Sequence, residues 1–245
     1  MKSLIMNAEM IRAYAEGRKD VTRRLMEPQP KFSERPFQVS GDMSGNWYQS
    51  NPDYPRRSPM MSHTWKPPFR PGEQIYIRET WHCDDPAAAQ DAMSPGYGLY
   101  YKATEICPQI FNWTPSIHMP EWAARFRPTV ISIRPERIQS ITEEDAKREG
   151  MNPNVYDDGF TGEGDPIPRP TYVEPFMELW NSLYGQWNGI YKRVNGKRTL
   201  VGFECYPLSE WDIPPIPAKA RKLGLPCTAH PNPWIWRIEL TKVTQ

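Results

Sequence analysis

Behind a glycine at position 17 the sequence sets Arg18, Lys19, Asp20, Val21, Thr22, Arg23 and Arg24 in unbroken succession. Four cations and a hydroxyl packed this closely support two kinds of chemistry. In one, the stretch is a solvated basic turn whose threonine hydroxyl caps a backbone amide. In the other it handles something anionic, because the planar fork of arginine matches phosphate and adjacent arginines suit a nucleic-acid backbone. Composition alone leaves both open.

Further polar and aromatic residues have similar pairs of readings. Glu79, in the run Arg78-Glu79-Thr80-Trp81, either points inward as a pocket acid or pairs with Arg78. Trp81 and Trp122 supply buried area or a stacking platform for a base. His118, framed by prolines in Ser116-Ile117-His118-Met119-Pro120, holds its loop by a backbone hydrogen bond or touches a ligand. The cysteines at 83, 107, 205 and 227 contain no C-x-x-C pair, which fits reduced thiols. A zinc site from His82, Cys83, Cys227 and His230 would have irregular spacing, so no metal ion and no cofactor is expected.

The surrounding chain bounds what such residues can do. Its 245 residues can bury a substantial core, and one domain with elaborations is expected. A net charge of +1 excludes coating of nucleic acid by bulk electrostatics, so any phosphate contact must come from local patches. Prolines number 28 against a usual share of about 5%, and cluster at 28–36, 52–71, 166–175 and 207–233, where they predict ordered loops wrapped on a scaffold. No apolar run approaches the roughly 20 residues of a membrane helix. The opening MKSLIMNAEM lacks the sustained apolar centre of a signal peptide, so a cytoplasmic protein without membrane contact is expected.

Periodicity predicts the elements that must position the candidates. Residues 3–6 read as a short strand, followed by a helix capped by Asn7 and stopped by Gly17, then a turn over 18–24. Alternation predicts strands over 74–81 and 98–103 and a β-branched one over 129–134, with an ordered loop over 113–122. Residues 141–150 form a helix with a Thr142 cap, early acids, late bases and a glycine stop. Phe176, Leu179, Trp180 and Leu183 set the buried stripe of a helix over 172–184, with Pro175 in its first turn. Asn195-Gly196 between alternating runs predicts a hairpin over 190–203. In the closing strand Trp234, Trp236, Ile238 and Leu240 share one face and Ile235, Arg237 and Glu239 the other. Short strands from end to end predict an α+β fold, a closed or nearly closed small β-barrel with peripheral helices.

The order of these pieces resembles the ASCH family of the PUA-like superfamily. The resemblance rests on the helix ending G-R-K-x-x-T-x-R, the Pro-Gly-acidic turn at 71–73 and the T-E-x-x-A-x-x-E helix. Also shared are R-E-T-W, W-x-P-S-I-H-M-P-x-W-A and the terminal N-P-W-x-W, which look like the longer ASCH-type proteins of tailed phages and prophages. It covers residues 3–25, 70–81, 98–151 and 233–243, about half of the chain. It implies a PUA-like barrel over 1–245, enlarged by insertions at about 26–69, 82–97 and 151–232, the last including the hairpin. Its partner would be RNA or a modified nucleoside or nucleotide, with a host protein as a further partner and the host cytoplasm as the place of action if phage-encoded.

Compact ASCH enzymes hydrolyse N4-acetylcytidine with a lysine, a threonine and a glutamate, and the matching positions here are Lys19, Thr22 and Glu149. Arg23 stands where those enzymes carry a smaller apolar residue. Threonine is a weak nucleophile unless a base takes its proton, and lysine can do so only when burial or a nearby cation lowers its pKa. Arg18, Arg23 and Arg24 would supply that field and an anion-facing edge, while Glu149 would orient the lysine or activate water. Glu79, Trp81 and His118 complete the residues assigned to nucleotide binding. The same family resemblance also allows a ribonuclease, or a non-catalytic phage module that binds nucleic acid or a host protein.

Overall fold

The computed structural model describes residues 1–27, 29–30, 47–48, 64–86, 98–106, 111–153 and 171–243. Parts of the expected insertions at 26–69, 82–97 and 151–232, parts of three proline clusters and Cys107 lie outside the described residues.

The chain begins with β1 (Ser3–Ile5), and helix α1 (Ala8–Ala15) follows because Asn7 Oδ1 accepts the Met10 amide at 2.9 Å. Gly17, at φ 73°, takes the left-handed conformation that stops the helix. The chain then departs from the predicted turn: Val21–Leu25 is a strand, β2, entered after only three residues. Two-residue strands β3 (Trp47–Tyr48) and β4 (Thr64–Trp65) pair with each other. The strand predicted over 74–81 divides into β5 (Tyr76–Arg78) and β6 (Trp81–Cys83), so Glu79 and Thr80 form the joint between two sheets. The strand predicted over 98–103 is β7 (Leu99–Tyr101). Residues 113–122 form the ordered loop predicted, with single 3-10 turns at Ser116–His118 and Glu121–Ala123.

Strand β8 (Val130–Arg137) runs further than its β-branched core predicts and tolerates Pro135 on the edge of its sheet. Helix α2 (Glu143–Arg148) has the predicted cap, Thr142 Oγ1 accepting the Asp145 amide at 3.1 Å, and stops at Gly150, φ 86°. Helix α3 (Val173–Leu183) buries Phe176 and Trp180, whereas Leu183 is exposed, because the partly buried Val173, Met177 and Tyr184 complete the packed face instead. Strands β9 (Asn188–Val194) and β10 (Lys197–Cys205) make the predicted hairpin. The basic run 219–222 lies in a short helix, α4 (Ala218–Leu223), stopped by Gly224. Strands β11 (Cys227–Ala229) and β12 (Trp234–Leu240) close the order.

The architecture is α+β, with short helices and, among the described residues, sheets of two or three strands: β1-β5 parallel, β3-β4, β6-β7, β11-β10-β9 and β2-β12-β8. No closed barrel is formed among the described residues. Strand β12 lies in the middle of its sheet, and every residue from Trp234 to Leu240 except Glu239 is buried. Both of its faces are therefore buried. No described helix is long and apolar enough to cross a membrane.

The chain divides into two compact units, one of residues 1–23, 30–134 and 236–245, the other of 24–29 and 135–235. In the first unit Trp81, Met119, Ala123 and Ala124 form a buried cluster bordered by Tyr76, Leu99, Tyr101 and Trp122. In the second, Ile138, Ala146, Phe176, Trp180, Leu208 and Ile235 form another. Trp180 Nε1 donates to Tyr206 O at 3.0 Å, so its buried ring also has a satisfied donor.

Candidate functional site

The exit from α1 determines the surroundings of Lys19. The amides of Arg18 and Lys19 both donate to Ala13 O, at 2.9 and 3.0 Å, folding the chain back over the helix end. Immediately afterwards Asp20 O accepts the amide of Leu240 at 2.8 Å. Held on both sides, Lys19 carries its side chain inward, where it is fully buried and donates from Nζ to Val21 O at 2.6 Å. Thr22, on β2, is 1% exposed, and its Oγ1 has no hydrogen-bond partner among the described residues.

Seven polar or charged side chains are buried among the described residues, and Lys19, Asp20, Thr22 and Arg23 account for four of them. That concentration excludes the solvated-turn reading, since burying polar groups opposes folding unless they are paired or used. The basic residues of the stretch divide accordingly. Arg18 is exposed and pairs with Glu16, its Nε and Nη2 lying 2.7 and 2.6 Å from Oε2. Arg23 is buried on β2 in the first unit, and Arg24 is half-buried in the second. Glu149 belongs to the second unit, where it caps the C-terminus of α2, its amide donating to Asp145 O at 2.9 Å, with its side chain buried.

Glu79 is placed by the joint between β5 and β6. Its amide donates to Met119 Sδ at 3.3 Å, and its buried carboxylate receives Arg125 Nε and Nη2, each at 2.8 Å. Arg125 donates its remaining terminal nitrogen to Thr104 Oγ1 at 2.9 Å and lies over the Tyr101 and Phe126 rings. Burial pushes the Glu79 carboxyl above its ordinary pKa, and the Arg125 bonds pull it back without cancelling the effect. The ion-pair partner is thus Arg125 and not Arg78. No sequence spacing signals a pair separated by 46 residues.

Trp81 is buried, its ring edge-on to Trp122 at 5.7 Å, so it contributes to the core cluster of its unit. Its Nε1 has no hydrogen-bond partner among the described residues. His118 ends a 3-10 turn with an exposed side chain. Sequence reasoning also missed a half-buried group of rings in the first unit. Tyr100 stacks on Phe111 at 4.3 Å, and Phe111 meets His82 and Trp113 at 5.3 Å each. His82 is fixed by Asn112 O at 2.8 Å and Asp84 Oδ1 at 3.2 Å. No group of three His, Cys, Asp or Glu among the described residues is arranged to hold a metal ion.

No protein-family model, curated protein or solved structure matches this chain. The chemical content of the site is therefore that of its own residues. In the first unit, a buried amine and a buried hydroxyl lie three positions apart where a helix end meets a strand, and the hydroxyl has no hydrogen-bond partner among the described residues. A hydroxyl in that state can donate to a base or attack an electrophile without first giving up a protein partner.

Proposed function

We propose that the chain is an ASCH-type protein of the PUA-like superfamily that hydrolyses an N4-acylated cytidine, free or within RNA. The observation that carries the reading is the burial of Lys19 and Thr22 together, with Thr22 Oγ1 unpartnered among the described residues. Supporting it is the order of elements around them: β1, a capped and glycine-stopped α1, then K-x-x-T leading into β2. The T-E-x-x-A-x-x-E segment forms α2, with a buried glutamate at its end.

In this reaction Thr22 Oγ1 attacks the acyl carbonyl carbon while Lys19, as the neutral amine, takes the hydroxyl proton. Collapse of the tetrahedral adduct breaks the bond to the cytidine amine, which leaves with the proton that Lys19 returns. Water activated by a carboxylate then cleaves the threonine ester, releasing the carboxylic acid and restoring the hydroxyl. Glu149 has the carboxylate's role by resemblance, and its substitution tests that assignment. The net change is one amide and one water converted to one amine and one acid.

The test is chromatographic detection of cytidine released from N4-acetylcytidine and from an acetylcytidine-containing RNA. Wild type should release it, Thr22→Ala and Lys19→Ala should not, and Glu149→Gln should accumulate the acyl-enzyme. Absence of release by the wild type from both substrates would end the hydrolase reading.

A further inference from the structure

The hairpin β9–β10 has a charge pattern that the reading above does not use. Residues 191–199 are all exposed, and no acidic residue lies between Glu178 and Glu204. Strand β11 pairs only with Phe203–Cys205 at its base, so among the described residues Tyr191–Leu200 is a two-stranded ribbon. Asn195 and Gly196, at φ 50° and 78°, close it with the left-handed pair of a tight hairpin turn.

The register distributes its four cations. Arg193 faces Arg198, and Tyr191 faces Leu200, so these residues share one face. Lys192 faces Thr199 and Val194 faces Lys197 on the other. Arg198 lies over the Tyr191 ring at 4.3 Å, which holds its guanidinium along the ribbon. Like charges directly opposite one another weaken a hairpin, and here no acid within the ribbon offsets them. Such an arrangement favours a polyanion on both sides of the ribbon at once. A flat anionic surface, such as a lipid headgroup layer or an acidic protein patch, would engage one face and leave the other in water.

A nucleic-acid duplex presents two phosphate walls, and the B-DNA major groove, about 12 Å wide, admits a two-stranded ribbon. The A-form RNA major groove is too narrow and deep for one. The geometry points to residues 190–203 as an arm that enters the major groove of duplex DNA, with Arg193 and Arg198 contacting one phosphate wall and Lys192 and Lys197 the other. This inference does not depend on acyl-cytidine hydrolysis.

Fluorescence anisotropy on the full chain with a labelled random-sequence DNA duplex, across a salt series, tests it. The pairs Arg193→Ala/Arg198→Ala and Lys192→Ala/Lys197→Ala should each weaken binding on the order of tenfold and lower the salt slope by roughly 1.8. Lys192→Arg/Lys197→Arg should bind as wild type does, and none of these variants should change cytidine release or the urea midpoint materially. Loss of binding from one face alone overturns the groove assignment. So does affinity for duplex or single-stranded RNA, or for phosphatidylserine vesicles, equal to that for duplex DNA. No binding of duplex DNA at low salt overturns it outright.

Discussion

Both carboxylate oxygens of Glu79 are bonded to the guanidinium of Arg125, at 2.8 Å each, and the two partners differ in exposure. The Glu79 side chain is 2% exposed and that of Arg125 25%. Removing the arginine leaves a carboxylate that cannot reach water, whereas removing the acid leaves a cation that can. Urea unfolding at neutral pH should therefore show Arg125→Met losing on the order of 3 kcal/mol and Glu79→Gln about 2 kcal/mol or less.

The same pair makes a pH prediction. The raised pKa of Glu79 means that the folded chain keeps a proton above the ordinary 4.5, where the unfolded chain has released it. That contribution to stability is complete below 4.5 and is lost as pH rises through the raised value. Without Arg125 the carboxyl is pushed higher still. The deficit of Arg125→Met relative to wild type should narrow as pH falls toward 4.5, and a deficit independent of pH would refute the assignment.

At Thr22, stability and activity should move in opposite directions. Its buried Oγ1 has no partner among the described residues, and a valine has the same shape without the polar atom. Replacing an unsatisfied hydroxyl by a methyl removes a desolvation cost, so Thr22→Val should stabilise the fold by roughly 1 kcal/mol. It should also abolish release of cytidine. A clear loss of stability in thermal unfolding would mean that the hydroxyl is paired.

What the sequence made legible follows from how local each signal is. The Asn7 and Thr142 caps, the Gly17 and Gly150 stops and the Asn195-Gly196 turn were readable because each is set by neighbours within a few residues. Thr22 and Lys19 were legible as a pair, but their burial was not, because it depends on Leu240 pairing with Asp20 from the far end of the chain. The both-sided burial of β12 was hidden for the same reason: alternation reports an edge or half-covered strand well and a central one poorly. Arg125 was missed because ion pairs between distant segments leave no spacing to read.

His230 should make the second unit acid-sensitive. Its ring stacks on Tyr206 at 5.0 Å, and burial lowers its pKa below the ordinary 6.5, with Glu204 only partly opposing the shift. A depressed base stabilises the fold above 6.5, and that contribution is lost as pH falls through its lowered pKa, because the unfolded chain takes up the proton first. His230→Phe keeps an aromatic ring on Tyr206 and removes the titration. Between pH 7 and pH 5 the urea midpoint of wild type should fall further than that of His230→Phe, and equal falls would show that His230 is not the group responsible.

Gly196 separates the conformation of the hairpin from its packing. At φ 78° it occupies the left-handed region, yet a Cβ placed there would meet nothing within 4 Å. Gly196→Ala should therefore cost about 1 kcal/mol through backbone strain alone. Asn195→Gly, at φ 50°, should change stability by no more than about 0.5 kcal/mol, since glycine also suits that position. The two-stranded ribbon has little packing of its own, so the cost should appear as faster hydrogen exchange at the amides of residues 191–200, with the amides of α3 unchanged. If exchange in α3 rises equally, the ribbon does not open locally, and its strain is transmitted to the rest of its unit.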